Sequence, residues 1–130
     1  MPYKINFSDN PNGMTTLFSG ILTDEEIIQS CKDRLAQEDK IRELFYIKDD
    51  LLDVTEFRVS SETIKTCASF ALKASELNKQ LVHVAIVPTD LVYGMARMWQ
   101  AYSDGTNWNK NIFRSREEAE EWLKTNIQHT

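Results

Sequence analysis

The stretch LVHVAIVPTDLVYGMARMW, residues 81–99, decides the fold of this chain. Its first seven residues are almost continuously apolar, which is typical of a central parallel strand that is covered on both faces. Pro88 ends this strand, and Thr89 or Asp90 can cap a helix that runs to about Tyr102. Because a buried strand that leads directly into a helix is half of a βαβ unit, we expect a parallel sheet.

The residues before this stretch predict an opening hairpin and a helix. Apolar and polar residues alternate over 3–7, and a second strand is predicted over 14–19, with a turn-rich loop between them. Thr23 and Glu26 have the spacing of a capping box, in which each side chain bonds the other's backbone N–H. This pattern predicts a first helix that ends near Gln37.

A further strand and helix are predicted before residue 81. The short apolar run 44–47 predicts a strand that ends at Asp49, whereas 51–59 has no clear period and is expected to be irregular. Ser60 or Ser61 can cap a second helix. Its buried stripe should consist of Ile64, Cys67, Ala68, Ala71, Leu72 and Leu77.

The chain is expected to end with a loop, a strand and a helix. Residues 103–110 are polar apart from one Trp, and the pair 112–113 predicts a last short strand. Ser115 and Glu118 form a second capping-box pattern. The inner face of the final helix should carry Ala119, Trp122, Leu123 and Ile127.

These elements follow in the order β-β-α-β-α-β-α-β-α, which predicts an α/β fold. Strands that alternate with helices imply right-handed crossovers and a mostly parallel sheet, and the opening hairpin makes that sheet mixed. We expect residues 1–130 to form a single domain with helices flanking one sheet.

Composition excludes several classes of protein. The chain has 15 Lys and Arg against 20 Asp and Glu, a net charge of -5, so a broad surface for nucleic acid or anionic membrane is not expected. No apolar run suits a signal peptide or a membrane span. We therefore expect a cytoplasmic protein whose thiols are reduced.

No pattern of catalytic or metal-binding residues stands out. Cys31 and Cys67 fall on the buried stripes of two predicted helices, where cysteine usually behaves as a small apolar residue. His83 lies inside a predicted buried strand without an obvious partner. Asp49, with Asp50 and Asp53, follows a strand in a segment that we expect to be a solvated loop. We therefore predict no catalytic residue, no metal and no cofactor.

Two longer stretches resemble a known family. HVAIVPTDLVYGMARMWQ and NIFRSREEAEEWL, together with the more generic GILTDEE, are similar to the SpoIIAA-like branch of the STAS domains, which are kin to bacterial anti-sigma-factor antagonists. The resemblance covers nearly the whole chain. It implies a mixed sheet flanked by helices and an interaction or regulatory module without a known catalytic role. Some relatives in this group bind small or lipid-like ligands.

The resemblance also suggests Ser60 as a phosphorylation site. The antagonists are phosphorylated on a serine in an Asp-Ser-Ser-Gly motif at the start of the second helix. The matching residues here are Val59, Ser60, Ser61 and Glu62, so the motif's Asp and Gly are both replaced. A helix cap at Ser60 or Ser61 is the alternative, and it is favoured.

The helix predicted from Asp90 carries more apolar surface than one sheet needs. On a helical wheel Leu91, Met95, Met98 and Tyr102 form a stripe that we expect to pack on the sheet. The adjoining residues widen the apolar arc to roughly 160°, against about 100° for an ordinary surface helix. The interface or ligand candidates at this face are Val92, Tyr93, Met95, Ala96, Trp99 and Trp108.

Three explanations of this excess remain open. The loop with Trp108 can cover it, a second copy of the chain can bind it, or it can line a pocket for an apolar ligand. The first hypothesis is a non-enzymatic module that forms a homodimer through this helix. The alternative is a small carrier or sensor for an apolar or lipid-like ligand. An enzyme would need two titratable groups that meet in a cleft.

Overall fold

A five-stranded sheet in the order β1-β2-β3-β4-β5 forms the centre of the molecule. The structure is a computed structural model and describes residues 2–127. β1 is antiparallel to β2, and every later neighbour is parallel. The strands are β1 Tyr3–Ser8, β2 Gly13–Thr23, β3 Tyr46–Arg58, β4 Val82–Ile86 and β5 Asn109–Phe113.

The helices divide between the two faces of the sheet. They are α1 Asp24–Leu35, α2 Glu38–Glu43, α3 Ser61–Leu77, α4 Asp90–Tyr102 and α5 Arg116–Asn126, with a short 3₁₀ turn at Asp104–Thr106. Crossovers of one hand between successive neighbouring strands put their helices on the same side. Accordingly, α1, α3 and α4 pack beside one another over an inner face, and α5 packs on β4 and β5 over the outer face.

The predicted element order is confirmed, with one addition and one error. The addition is α2, which is too short to show a helical period. The error concerns 51–59, which is not irregular, because β3 continues to Arg58 alongside an equally extended β2. The ladder between them shifts register after Leu17 and again after Gly20, which has a left-handed φ of 69°. Such shifts break the alternation that a sequence reading relies on.

Side-chain caps begin four of the helices where the sequence predicts them. Thr23 and Glu26 form the complete capping box of α1. Ser60, Thr89 and Ser115 accept backbone N–H bonds at the starts of α3, α4 and α5. None of the helices within residues 2–127 has both the length and the apolar composition needed to cross a membrane.

We expect Ser60→Ala to lower the free energy of unfolding by about 1 kcal/mol, because the Ser60 hydroxyl accepts the Thr63 N–H at 3.3 Å. The matched control is Ser61→Ala, at the exposed first residue of the helix, which should change stability by less than about 0.5 kcal/mol. Urea denaturation measures both. Equal losses would contradict the assignment of the cap to Ser60.

Candidate functional site

A cavity of about 130 Å³ lies between the inner face of the sheet and the helices α1, α3 and α4. Its walls are apolar apart from three charged or titratable side chains and two thiols. From the sheet, the lining includes Met14, Phe18, Ile47, Asp49, Leu51, His83, Ala85 and Val87. From the three helices, it includes Ile27, Cys31, Arg34, Ile64, Cys67, Phe70, Ala71, Val92, Met95, Ala96 and Trp99. This composition is typical of a site for a small organic molecule.

The helix α4 turns a different stripe inward from the one that the sequence predicts. Leu91 is 64% exposed and Tyr102 is 45% exposed, so the expectation that these two residues pack on the sheet is wrong. Val92 and Trp99 face the cavity instead, and Val92 is 4% exposed. Met95 and Met98, the other two members of the predicted stripe, do pack against the inner apolar cluster, so the predicted inward face is wrong only in part.

Five of the six interface or ligand candidates line the cavity. They are Val92, Met95, Ala96, Trp99 and Trp108. Tyr93 lies against the same apolar cluster without lining the cavity. Trp108 is buried, and its Nε1 donates to the carbonyl oxygen of Asn78 at 2.9 Å. The loop with Trp108 therefore covers part of the apolar surface of this helix, which is the first of the three explanations.

A chain of three polar side chains crosses the cavity wall. Nη1 of Arg34 donates to Oδ1 of Asp49 at 2.7 Å, and Oδ2 of Asp49 lies 2.8 Å from Nε2 of His83. The side chains of Arg34, Asp49 and His83 are 14%, 16% and 5% exposed. Both carboxylate oxygens are thus engaged by partners inside a largely apolar layer.

Opposing effects determine the pKa of Asp49. Burial raises the pKa of its carboxyl, but the charge of Arg34 and the hydrogen bond with His83 outweigh burial and hold that pKa below its ordinary value. The pKa of Arg34 is raised by Asp49 despite its own burial. Asp49 is therefore ionised at neutral pH, and it forms a desolvated ion pair with Arg34.

Trp99 connects α4 to this polar chain. Its ring stacks on that of His83 with centroids 4.5 Å apart and planes inclined by 32°. Nζ of Lys110 lies 5.4 Å from the Trp99 centroid and donates to the carbonyl oxygen of Ser103 at 2.7 Å. Burial lowers the pKa of this lysine. His83 is thus held between a carboxylate at one nitrogen and an indole ring.

A buried hydroxyl next to Asp49 has no partner. Thr16 is fully buried, and among residues 2–127 its Oγ1 is the buried side-chain oxygen or nitrogen without a hydrogen bond. Thr16 pairs with Asp49 across the ladder between β2 and β3, so both point to the inner face. A buried polar atom without a partner is costly, so such atoms are rare in folded proteins.

Cys31 and Cys67 are buried, as predicted, but their surroundings are not wholly apolar. Sγ of Cys31 accepts from Nη2 of Arg34 at 3.5 Å, and the two thiols belong to one buried cluster. Both are free, and both line the cavity. The sequence reading treats each cysteine as an isolated residue and misses this cluster.

The acidic residues of 49–53 do not form a solvated loop. All three belong to β3, and alternation sends Asp49 inward and Asp50 outward. Asp50 is 4% exposed and bonds Nε of Arg116 at 2.6 Å, whereas Asp53 is exposed. Among the residues that the structure describes, no group of three or more His, Cys, Asp or Glu side chains could hold a metal ion.

Arg34 was not identified from the sequence, and two spacings carry the missing signal. Asp49 lies between Ile47 and Leu51 at strand period, which puts a carboxylate on a buried face. Arg34 follows Cys31 by three residues, which puts it on the buried stripe of the first helix. An acidic and a basic residue on two buried faces predict an ion pair between them.

The fold resembles that of a solved structure. The similar protein is described as an uncharacterized protein from the DUF3478 family, with a SpoIIAA-like fold, from Shewanella loihica PV-4. It is 18% identical, covers 93% of this chain and 91% of its own, and superposes with a TM-score of 0.60. The predicted SpoIIAA-like fold is thereby confirmed. Comparison with models of protein families finds no match, and comparison with curated proteins finds none.

Replacing Asp49 should destabilise the protein strongly. Asp49→Asn leaves the buried Arg34 without a counter-charge, so we expect a loss of about 3–5 kcal/mol in the free energy of unfolding at pH 7. Because the folded state lowers the pKa of Asp49, its stabilisation is complete above pH ~4 and is lost as the pH falls through the folded pKa. The difference between wild type and variant should therefore shrink in acid.

Chemical denaturation at a series of pH values measures this difference. The control is Asp53→Asn, an exposed carboxylate of the same strand, which should change stability by less than about 0.5 kcal/mol. An Asp49→Asn protein as stable as wild type at pH 7 would contradict the assignment.

Proposed function

We propose that this domain binds a small, mostly apolar molecule with one polar group in the inner cavity. The observation that carries the proposal is the combination of apolar walls with a buried, ordered Arg34–Asp49–His83 chain. A desolvated ion pair rarely adds stability over apolar side chains of similar volume, so its presence beside a cavity favours a role beyond stability. A ligand site needs such groups, because they orient the ligand.

The volume limits the size of the ligand. A dry apolar cavity of ~150 Å³ accommodates benzene. The cavity here is of similar size, at about 130 Å³. A single aromatic ring or a short branched chain fits this space, and a diacyl lipid does not. Of the small and lipid-like ligands that the resemblance implies, the small ones therefore fit this cavity.

The polar group of the ligand would face the sheet. Nε2 of His83 is engaged by Asp49, which leaves Nδ1 as the nitrogen available for a ligand. Thr16 lies on the same face beside Asp49 but does not line the cavity. Since a hydroxyl can both donate and accept, an aromatic or aliphatic alcohol suits the imidazole nitrogen better than a charged group does.

The proposed role is binding and not catalysis. His83 and Asp49 are two titratable groups that meet, which is the condition set for an enzyme. A base needs a nucleophile or a substrate proton within reach. The side chain of His83 forms a hydrogen bond with Asp49, and Sγ of Cys31 accepts a hydrogen bond from Arg34 instead. Residence in the cytoplasm, where thiols stay reduced, is part of this proposal.

Phenol and benzene are suitable probes of the cavity. We expect both to raise the free energy of unfolding, by about 1.4 kcal/mol at tenfold excess over Kd, with phenol binding more tightly than benzene. Ala96→Leu should abolish the effect, because the larger side chain fills the cavity beside Trp99. Ala101→Leu, on the exposed side of the same helix, is the control and should bind as wild type does.

Thermal unfolding and the chemical shifts of the Trp99 indole measure this binding. Circular dichroism would show that both leucine variants are folded. An absence of any shift with either probe, at concentrations up to their solubility, would overturn the proposed function.

Self-association through α4 is a second candidate, and one observation favours it. The outward side of α4 carries the exposed side chains of Leu91 and Tyr102, and Gly94 faces open space. Exposed apolar side chains around a glycine would allow close approach of a second copy. The interface would then differ from the predicted one, because Val92, Ala96 and Trp99 line the cavity.

Sedimentation velocity tests this second candidate. We expect a dimer at tens of micromolar protein, and Leu91→Glu should make it monomeric, because a buried carboxylate at the interface is costly. Ile21→Glu is the matched control, since Ile21 is exposed on β2, at 47%, and should leave the dimer intact. A wild-type monomer at these concentrations would exclude the dimer.

A further inference from the structure

The two cysteines of this chain lie together on the wall of the cavity. Cys31 projects from α1 and Cys67 from α3, two helices that pack against each other. Both side chains line the same cavity and belong to one buried cluster, and both are unoxidised. They are the chain's two cysteines, so each is the natural partner of the other.

The two thiols are not equivalent. Cys31 is one turn from Arg34, whose Nη2 donates to its Sγ at 3.5 Å. The neighbouring Cys67 thiol and the charge of Arg34 lower the pKa of Cys31 to about 7 in spite of burial. The neighbouring Cys31 and burial raise the pKa of Cys67. Because Arg34 contacts Cys31, Cys31 is the thiol of the pair that ionises more readily.

Small molecules can reach this pair through the cavity. Several lining side chains are only half-buried, among them Phe57, Phe70 and Trp99. These residues separate the cavity from solvent by a single layer of side chains. Hydrogen peroxide is smaller than the ring-sized ligands considered above.

We infer that Cys31 is a reactive cysteine that hydroperoxides oxidise and that Cys67 then resolves, to give a disulfide between α1 and α3. In the first step, the Cys31 thiolate attacks the peroxide, an S–O bond forms and the O–O bond breaks. The alkoxide or hydroxide that leaves takes up a proton, and Cys31 becomes a sulfenic acid. In the second step, Cys67 sulfur attacks the sulfur of Cys31, an S–S bond forms, and water leaves with the Cys67 proton.

The two steps together transfer two electrons from the thiols to the hydroperoxide. The two cysteine sulfurs together lose two electrons, and the hydroperoxide is reduced to an alcohol or water. The disulfide would close the chain across the wall of the cavity and remove the thiol that Arg34 contacts. Only the route of access depends on the cavity, and the thiol chemistry does not depend on a ligand being bound.

Mass spectrometry of the intact protein tests the inference. With one equivalent of hydrogen peroxide at pH 7, the wild-type chain should lose two hydrogens and both titratable thiols while remaining a single chain, and dithiothreitol should restore it. Cys67→Ser should stop at a sulfenic acid that dimedone traps. Cys31→Ser should react about tenfold more slowly, because its remaining thiol lacks the cation beside it.

Alkylation of the unmodified protein gives an independent measurement. Peptide mapping after a brief treatment with iodoacetamide at pH 7 should find Cys31 labelled before Cys67, and circular dichroism should confirm that both serine variants are folded. Equal reaction rates of the two serine variants, or a disulfide only between separate chains, would overturn the inference. Neither experiment on the cysteines uses a ligand. A negative result with peroxide therefore does not bear on phenol binding, and a negative result with phenol does not bear on the oxidation of Cys31.

Discussion

One buried carboxylate determines the organisation of the inner layer. Asp49 lies on a face of β3 where its neighbours Ile47 and Leu51 are apolar, so its charge must be compensated within the protein. Arg34 supplies the charge, and His83 supplies the second hydrogen bond. Since each of these side chains comes from a different element, the ion pair fixes how α1, β3 and β4 meet.

The cavity follows from the same arrangement. Arg34 and His83 bond Asp49, so their side chains do not fill the space between the sheet and the helices. Trp99 stacks on His83 and does not fill this space either. The empty volume that remains is bounded by apolar atoms on most sides and by a fixed polar chain on one side. Such a site can discriminate between ligands by one hydrogen bond as well as by shape.

Local patterns predict much of this fold, and long-range pairings explain most of what they miss. The capping residues Thr23, Ser60, Thr89 and Ser115 depend on neighbours within three or four positions, so a sequence reading finds them. The extension of β3 depends instead on pairing with β2 across a shifted register.

The site shows the same division. The excess apolar surface of α4 is a local property and is predicted, including the four residues of this helix that were candidates and line the cavity. Which edge of that helix faces the sheet depends on the crossover from β4, and the prediction for Leu91 and Tyr102 fails for this reason. The ion pair joins positions 15 residues apart on different elements, and no single segment contains both halves of that signal.

The strand order also has a consequence for synthesis on the ribosome. The strands are added to the sheet one after another, and the residues that line the cavity run from Met14 to Trp108 without a contribution from α5. A nascent chain can therefore dock its successive βα units as they emerge. One side of the cavity stays open, however, until the segment with Trp108 leaves the exit tunnel. The last helix then covers the opposite side of the sheet, so the cavity is complete before the last helix docks.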